Sequence, residues 1–222
     1  MLSLQKDQIP NRGDNSTLLD YNEDLPKEVD WKARGAVTTV KDQGHCESCW
    51  AFSAVGAIEG LIFLKNGTVA PLSVQNLIDC ARDEYVNVGC YGGLMDYAFN
   101  YTRYHGVLTD KEYPYTSYYG TEGKCKKQGG VKISALIGPV SVAVDASYLI
   151  FYSTGVITKK CGCKNGLYDL SHGVLVVAYS EDYWLIKNSW GRNWGEDGYF
   201  MLKRNDGNTC GVATLASYPI LD

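Results

Sequence analysis

The run Cys49-Trp50-Ala51-Phe52-Ser53-Ala54-Val55-Gly56-Ala57-Ile58-Glu59-Gly60-Leu61-Ile62-Phe63-Leu64-Lys65 is apolar on most sides when wound at helical period. A helix with one apolar stripe can lie on a surface, but one that is apolar nearly all round has to be enclosed. The segment from Ser48 to Asn66 is therefore expected as a central buried helix, closed by Gly67 at the C′ position. Cys49 stands at its head, after Gln43-Gly44-His45-Cys46-Glu47-Ser48. A thiol is a good nucleophile only as a thiolate, and a helix N-terminus beside a histidine favours that form.

The rest of the chain divides in character around this helix. Shorter helices are expected from Ser73 to Cys80, with Ser73 as N-cap, and from Leu94 to His105, ended by Gly106. The second half holds runs rich in Val, Ile and aromatics at Val140 to Val144, Val174 to Tyr179, Tyr183 to Lys187 and Tyr199 to Lys203. They are bounded by Gly, Ser, Asp and Pro, the pattern of antiparallel strands, with Ser180-Glu181-Asp182 as a hairpin connection. The reading is α+β, a helical lobe followed by a β lobe, with Cys49 and His172 on opposite sides of a cleft. Residues 1–24 are polar and aperiodic and read as a tail or remnant.

Composition narrows the function classes. At 222 residues and 45% hydrophobic, the chain can bury a sizeable core as one domain or two lobes. A net charge of −4 lacks the basic footprint that phosphate backbones demand, so nucleic acid is not expected as a partner. No apolar run approaches the roughly 20 residues of a membrane span, and no secretory h-region is visible in Met1 to Pro10. Eight cysteines, with sequons at Asn15, Asn66 and Asn100, point instead to an oxidising compartment. Exported chemistry without an export signal suggests a sequence incomplete at its N-terminus. Cys46-x-x-Cys49 alone also fits a redox pair or half a zinc site, with Cys161-x-Cys163 and His172 able to complete one. Redox CxxC pairs sit in a βαβ context, which is missing here, and no metal or other cofactor is expected.

Five motifs occur in one order: Cys46-Glu47-Ser48-Cys49-Trp50-Ala51-Phe52-Ser53, Cys90-Tyr91-Gly92-Gly93-Leu94-Met95, Gly138-Pro139-Val140-Ser141-Val142, Ser171-His172-Gly173-Val174 and Lys187-Asn188-Ser189-Trp190-Gly191. In that order and context the chain resembles the papain-like cysteine proteases, most closely the cathepsin L branch, from about Leu25 to Asp222. The resemblance implies a two-lobe fold, with residues 25–130 mainly helical and 131–222 a β-barrel-like lobe, the active site lying between them. Residues 1–24 would be the end of a prosegment.

The same resemblance assigns roles. Cys49 would be the nucleophile and His172 the acid and base, with Asn188 orienting the imidazole and Trp190 shielding that contact. The Gln43 amide and the Cys49 N–H would form the oxyanion hole. Leu94, Met95, Ala143, Leu170, Gly173 and Leu215 would line an apolar S2 pocket that takes Leu, Val or Phe rather than Arg, with Gly92, Gly93, Trp190 and Trp194 also contacting substrate. It pairs Cys46 with Cys90, Cys80 with Cys125, and Cys210 with Cys161 or Cys163. Neither spacing matches the family well; Cys163 is preferred, and one thiol is left over. The implied activity is endopeptidase, because the chain has only three histidines and no adjacent-His loop. Implied partners are protein and peptide substrates and inhibitors of the cystatin or prosegment type, with the protein acting as a monomer in a lysosomal or extracellular setting.

Three departures from the family pattern stand out. Asn188 follows Cys49 by 139 residues, within the usual span of about 130–150, but His172 follows by only 123. The shortfall agrees with an unusually short stretch at 126–137 and a short hairpin at 180–182, each a true deletion or a gene-model error. Glu47 replaces a glycine two residues before the nucleophile, where its charge would favour the thiol yet attract a basic P1 residue. Ser171 replaces the usual Asp or Asn, a change expected to matter less. These departures motivate the alternative of a protease-fold binding protein with weak or no catalysis.

Overall fold

The computed structural model describes residues 26–132 and 138–219. The expected tail at 1–24 and the last five residues of the short stretch at 126–137 lie outside the described residues.

The apolar run forms helix α1, Cys49–Asn66, and every residue from Cys49 to Leu61 except Phe52 is buried. Gly67 ends it in the left-handed region at φ 71°, its N–H donating to the Phe63 carbonyl at 2.7 Å, because the reversal needs a residue without Cβ. Helix α2, Val74–Cys80, starts where Ser73 Oγ accepts from the Asn76 N–H at 2.9 Å, a cap worth about 1 kcal/mol. Helix α3, Met95–His105, stops at Gly106.

The second half folds into one sheet. Strands β1 (Val29–Asp30), β2 (Val140–Val144), β3 (Val156–Ile157), β4 (His172–Tyr179), β5 (Tyr183–Lys187), β6 (Tyr199–Lys203) and β7 (Leu215–Ser217) lie in the order β3-β6-β5-β4-β2-β7, with β1 added to the far end of β4. β2, β5 and β6 match the expected runs, while β4 begins two residues early, at His172 itself. The α+β fold expected from sequence is present, and two features detail its β lobe. β3 and β6 pair in parallel, and the sheet path runs open from β3 to β7 among the described residues.

Period-two alternation then divides the sheet's side chains between two cores. Leu175 and Val177 of β4 and Ala143 of β2 join the core around α1, whereas Val174, Val142 and Val144 join a second core with Ile186, Phe200 and Leu202. The first core draws Leu170, Leu175 and Leu215 from the second half of the chain, so the cores do not separate where the sequence changes character. α1 lies hard against the sheet. A Cβ on Gly56 would stand 2.6 Å from Leu175 Cδ2, and one on Gly60 would stand 2.3 Å from Pro139 Cδ. Ser53 Oγ donates to the Val174 carbonyl at 2.7 Å and Ser141 Oγ to the Ser53 carbonyl at 3.0 Å, each bond contributing roughly 1 kcal/mol. These contacts bring the first residues of β4 to the N-terminus of α1.

Candidate active site

At the N-terminus of α1, Ser48 makes no side-chain cap and the first turn carries no acidic residue. The backbone N–H groups there are consequently left for other acceptors. The backbone N–H groups of Gly173, Trp50 and Cys49 itself favour the charged form of the Cys49 sulfur. Gly173 packs tightly here: a Cβ there would sit 3.3 Å from the Cys49 carbonyl carbon and 3.3 Å from Met95 Sδ.

His172, the residue before Gly173, opens β4. Its Nε2 is 2.7 Å from Asn188 Oδ1, and its Nδ1 is buried without a hydrogen-bond partner. Asn188 Oδ1 also accepts from the Ser189 N–H at 2.8 Å, which fixes the amide so that its oxygen faces the ring. Trp190 stacks on His172 with centroids 4.8 Å apart, and Trp194 meets Trp190 edge-on at 5.0 Å. Both side chains are enclosed, Cys49 being 1% and His172 0% exposed. Burial pushes the Cys49 thiol up to about 11 against those backbone donors, and Glu47 raises it further. Burial likewise holds His172 down to about 4, opposed by the Asn188 bond. Desolvation therefore opposes the charged form of each group, against the backbone donors at Cys49 and the Asn188 bond at His172.

Gln43 is buried beside them. Its Nε2 donates to the Cys46 carbonyl at 2.9 Å and its Oε1 accepts from Ser189 Oγ at 2.6 Å, so the amide is held in one orientation with its second N–H uncommitted by these bonds. Tyr115 OH donates to the Gln43 carbonyl at 2.7 Å, and the Gln43 N–H donates to the Ser189 carbonyl at 2.8 Å. Sequence reading missed the supporting roles of Ser189 and Tyr115. Ser189 lay within a recognised motif and its hydroxyl was a signal available to find, whereas Tyr115 sits in a loop with no pattern to mark it.

Leu94, Met95, Ala143, Leu170 and Leu215 are buried in one apolar cluster, although they come from four separate stretches of chain. Gly92 and Gly93 form the turn into α3; a Cβ on Gly93 would stand 2.4 Å from Asn87 Oδ1 and 2.8 Å from Trp50, so the close approach requires glycine. Glu47 is partly exposed, its N–H donating to the Cys90 carbonyl. Ser171 Oγ accepts from the Ala146 N–H at 3.3 Å.

The bridges are Cys46–Cys90, Cys80–Cys125 and Cys163–Cys210, leaving Cys49 and Cys161 unbridged. The sulfurs of Cys161, Cys163 and Cys210 all lie within 4.8 Å of one another, but two of them are bridged and His172 does not join them, so the zinc arrangement weighed from sequence does not assemble.

The model of the papain family cysteine proteases matches residues 25–137 and 131–220, its two segments meeting at the short stretch. The chain is 47% identical over 226 residues to a cathepsin L-like peptidase of Aedes aegypti, covering 90% of this chain and 65% of that protein. Against Cathepsin L1 of Drosophila melanogaster it is 48% identical and spans 59% of the relative, so it covers less than two thirds of either curated protein. Among solved structures it is similar to a digestive procathepsin L 3 of Tenebrio molitor larval midgut, with a TM-score of 0.81, 42% identity, and 90% of this chain and 72% of that one covered. It is also similar to a Carica candamarcensis cysteine protease in complex with E-64, with a TM-score of 0.77, 35% identity, and 89% and 100% covered. With its helix-borne cysteine, strand-borne histidine and asparagine anchor arranged on this fold, the chain belongs to the papain family of cysteine proteases.

Proposed function

We propose that the chain is a cysteine-type endopeptidase of the cathepsin L kind, cleaving peptide bonds through a thioester on Cys49. One observation carries the reading. The 2.7 Å bond from Asn188 engages His172 Nε2 and leaves buried Nδ1 for the sulfur that the next residue, Gly173, already contacts through its backbone. The proton passes from Sγ to Nδ1, so both charges arise together and side by side. At an effective dielectric of about 20, two charges about 4 Å apart attract by roughly 4 kcal/mol, which offsets part of the burial cost borne by each alone. The thiolate attacks the scissile carbonyl. The second Gln43 N–H and the Cys49 N–H hold the developing oxyanion, at roughly 3 kcal/mol per donor. Imidazolium then protonates the leaving amine, and the neutral ring activates water to hydrolyse the thioester.

The candidate set Leu94, Met95, Ala143, Leu170, Gly173 and Leu215 has no acidic member, which supports Leu, Val or Phe at P2 over Arg. The three bridges favour a lysosomal or extracellular setting. Substrates would be proteins and peptides, and inhibitors would be of the prosegment or cystatin type, acting on a monomer. The test is recombinant protein refolded with its disulfides and assayed at acid pH. Stoichiometric E-64 labelling at Cys49, with cleavage of Leu- or Phe-containing dipeptidyl substrates, is the expected result. Folded protein that takes no label and cleaves nothing would instead be the protease-fold binding protein.

A further inference from the structure

Helix α1 is enclosed from Cys49 to Leu61, Phe52 excepted, and surfaces in its last turn. Ile62, Phe63 and Leu64 are part-exposed there, and Lys65 and Asn66 are exposed. Asn66, Gly67 and Thr68 follow one another at that end, all three open to solvent. Gly67 turns the chain out of the helix at φ 71°, and a Cβ on it would find no atom within 4 Å. Asn-x-Thr is the acceptor pattern for an N-linked glycan, a bulky group that needs surface and free space around it.

The end of α1 offers both. Asn66 shares a helical face with Ile62 and Phe63, four and three residues earlier, and side chains on a helix lean back towards its N-terminus. A sugar on Asn66 Nδ2 would thus lie over two part-exposed apolar side chains. At 1.5 Å per residue Asn66 stands roughly 26 Å along the axis from Cys49, so a glycan there leaves the cleft clear.

The other described sequon, Asn100-Tyr101-Thr102, has a different setting. It lies inside α3, where Tyr101 and Thr102 are both 0% exposed and Thr102 Oγ1 donates to the Ala98 carbonyl at 2.9 Å. The motif is read through its hydroxyl as well as its amide. Once α3 has formed, using this sequon means unwinding the helix and breaking that bond, whereas the last residues of α1 fray without exposing an enclosed side chain.

We propose that Asn66 is an N-glycosylation site, used in preference to Asn100. The inference rests on the lysosomal or extracellular setting proposed above. The donor would be an oligosaccharide carried on a lipid pyrophosphate. Asn66 Nδ2 attacks the anomeric carbon of the first sugar, the new C–N bond forms as the C–O bond to pyrophosphate breaks, the electron pair leaves on the lipid pyrophosphate, and the amide gives up one proton. Nothing is oxidised or reduced.

The experiment expresses the full chain behind a cleavable secretory signal in cultured mammalian cells and recovers signal-cleaved chain from medium and membranes. It is treated with peptide N-glycosidase in heavy-oxygen water, which turns each glycosylated Asn into a labelled Asp, and then digested with trypsin. The two sequons fall in separate peptides, 66–82 and 83–103, and a parallel sample without the glycosidase subtracts spontaneous deamidation at Asn66-Gly67. Label at Asn66 at least fivefold above that at Asn100 is the expected result, and Thr68→Ala should remove it while changing kcat/KM less than twofold. An unlabelled Asn66, a label that survives Thr68→Ala, or Asn100 labelled as fully overturns the proposal. Failure of the setting would show separately, as a native chain absent from the lumen, and failure of the peptidase reading as a labelled chain that cleaves nothing.

Discussion

Cys49 and Cys161 are the two unbridged cysteines, and their surroundings differ in each respect that governs thiol chemistry. Cys49 is enclosed at a helix N-terminus, with three backbone N–H groups favouring its charged form, and His172 is anchored by Asn188. Cys161 is part-exposed on a single turn, with a disulfide beside it and no imidazole in its cluster. Enclosure raises the cost of a charge but supplies directed partners for it, while exposure lowers that cost and supplies no direction. The same side chain thus lies enclosed in one place and meets solvent in the other.

Removing each thiol in turn tests the contrast most severely. Cys49→Ala should abolish peptide cleavage and E-64 labelling, a loss on the order of 10⁴-fold or more in kcat/KM, whereas Cys161→Ser should leave kcat/KM within about twofold. Similar losses from both would mean that the two sites are coupled. Next in size is Gln43→Ala, which removes one oxyanion donor and should lower kcat by roughly 10²–10³-fold with little change in KM, as steady-state kinetics would show.

The enclosure itself can be read from stability against pH. His172 is held down to about 4 from 6.5, so the unfolded chain binds a proton between those values that the folded chain does not, and stability falls as pH drops through that window. The sign does not depend on whether the single proton of the pair rests on sulfur or nitrogen. Urea unfolding should show His172→Asn losing less stability than the unmutated protein from pH 6.5 to 4, by about 3 kcal/mol. Smallest is Glu47→Gly, which removes a charge that raises the Cys49 thiol. Inactivation by E-64 below neutrality should quicken roughly twofold to fivefold, and the preference for Arg over a neutral P1 residue should weaken.

The helices were legible because their signals are local. An all-round apolar run needs enclosure, Ser73 caps the start of α2, and Gly67 and Gly106 end α1 and α3. β2, β5 and β6 were legible for the same reason, through β-branched and aromatic runs. β1, β3 and β7 were not, since two or three residues carry no period and exist only because a neighbouring strand offers partners. At the site, motif resemblance singled out Cys49, His172, Asn188 and Gln43, yet the hydrogen bonds of Ser189 and Tyr115 to Gln43 arise from chain segments 146 and 72 residues away.

Linear order was enough to establish that a buried helix would carry Cys49 and that a β half would come after it with His172 and Asn188, because period, capping and motif order are properties of neighbours along the chain. It took the folded molecule to establish that Cys163 bridges Cys210, that Leu94, Ala143, Leu170 and Leu215 enter one apolar core, and that Cys49 and His172 are both enclosed. Those are matters of distance and solvent access between residues far apart in the chain, which linear order does not encode.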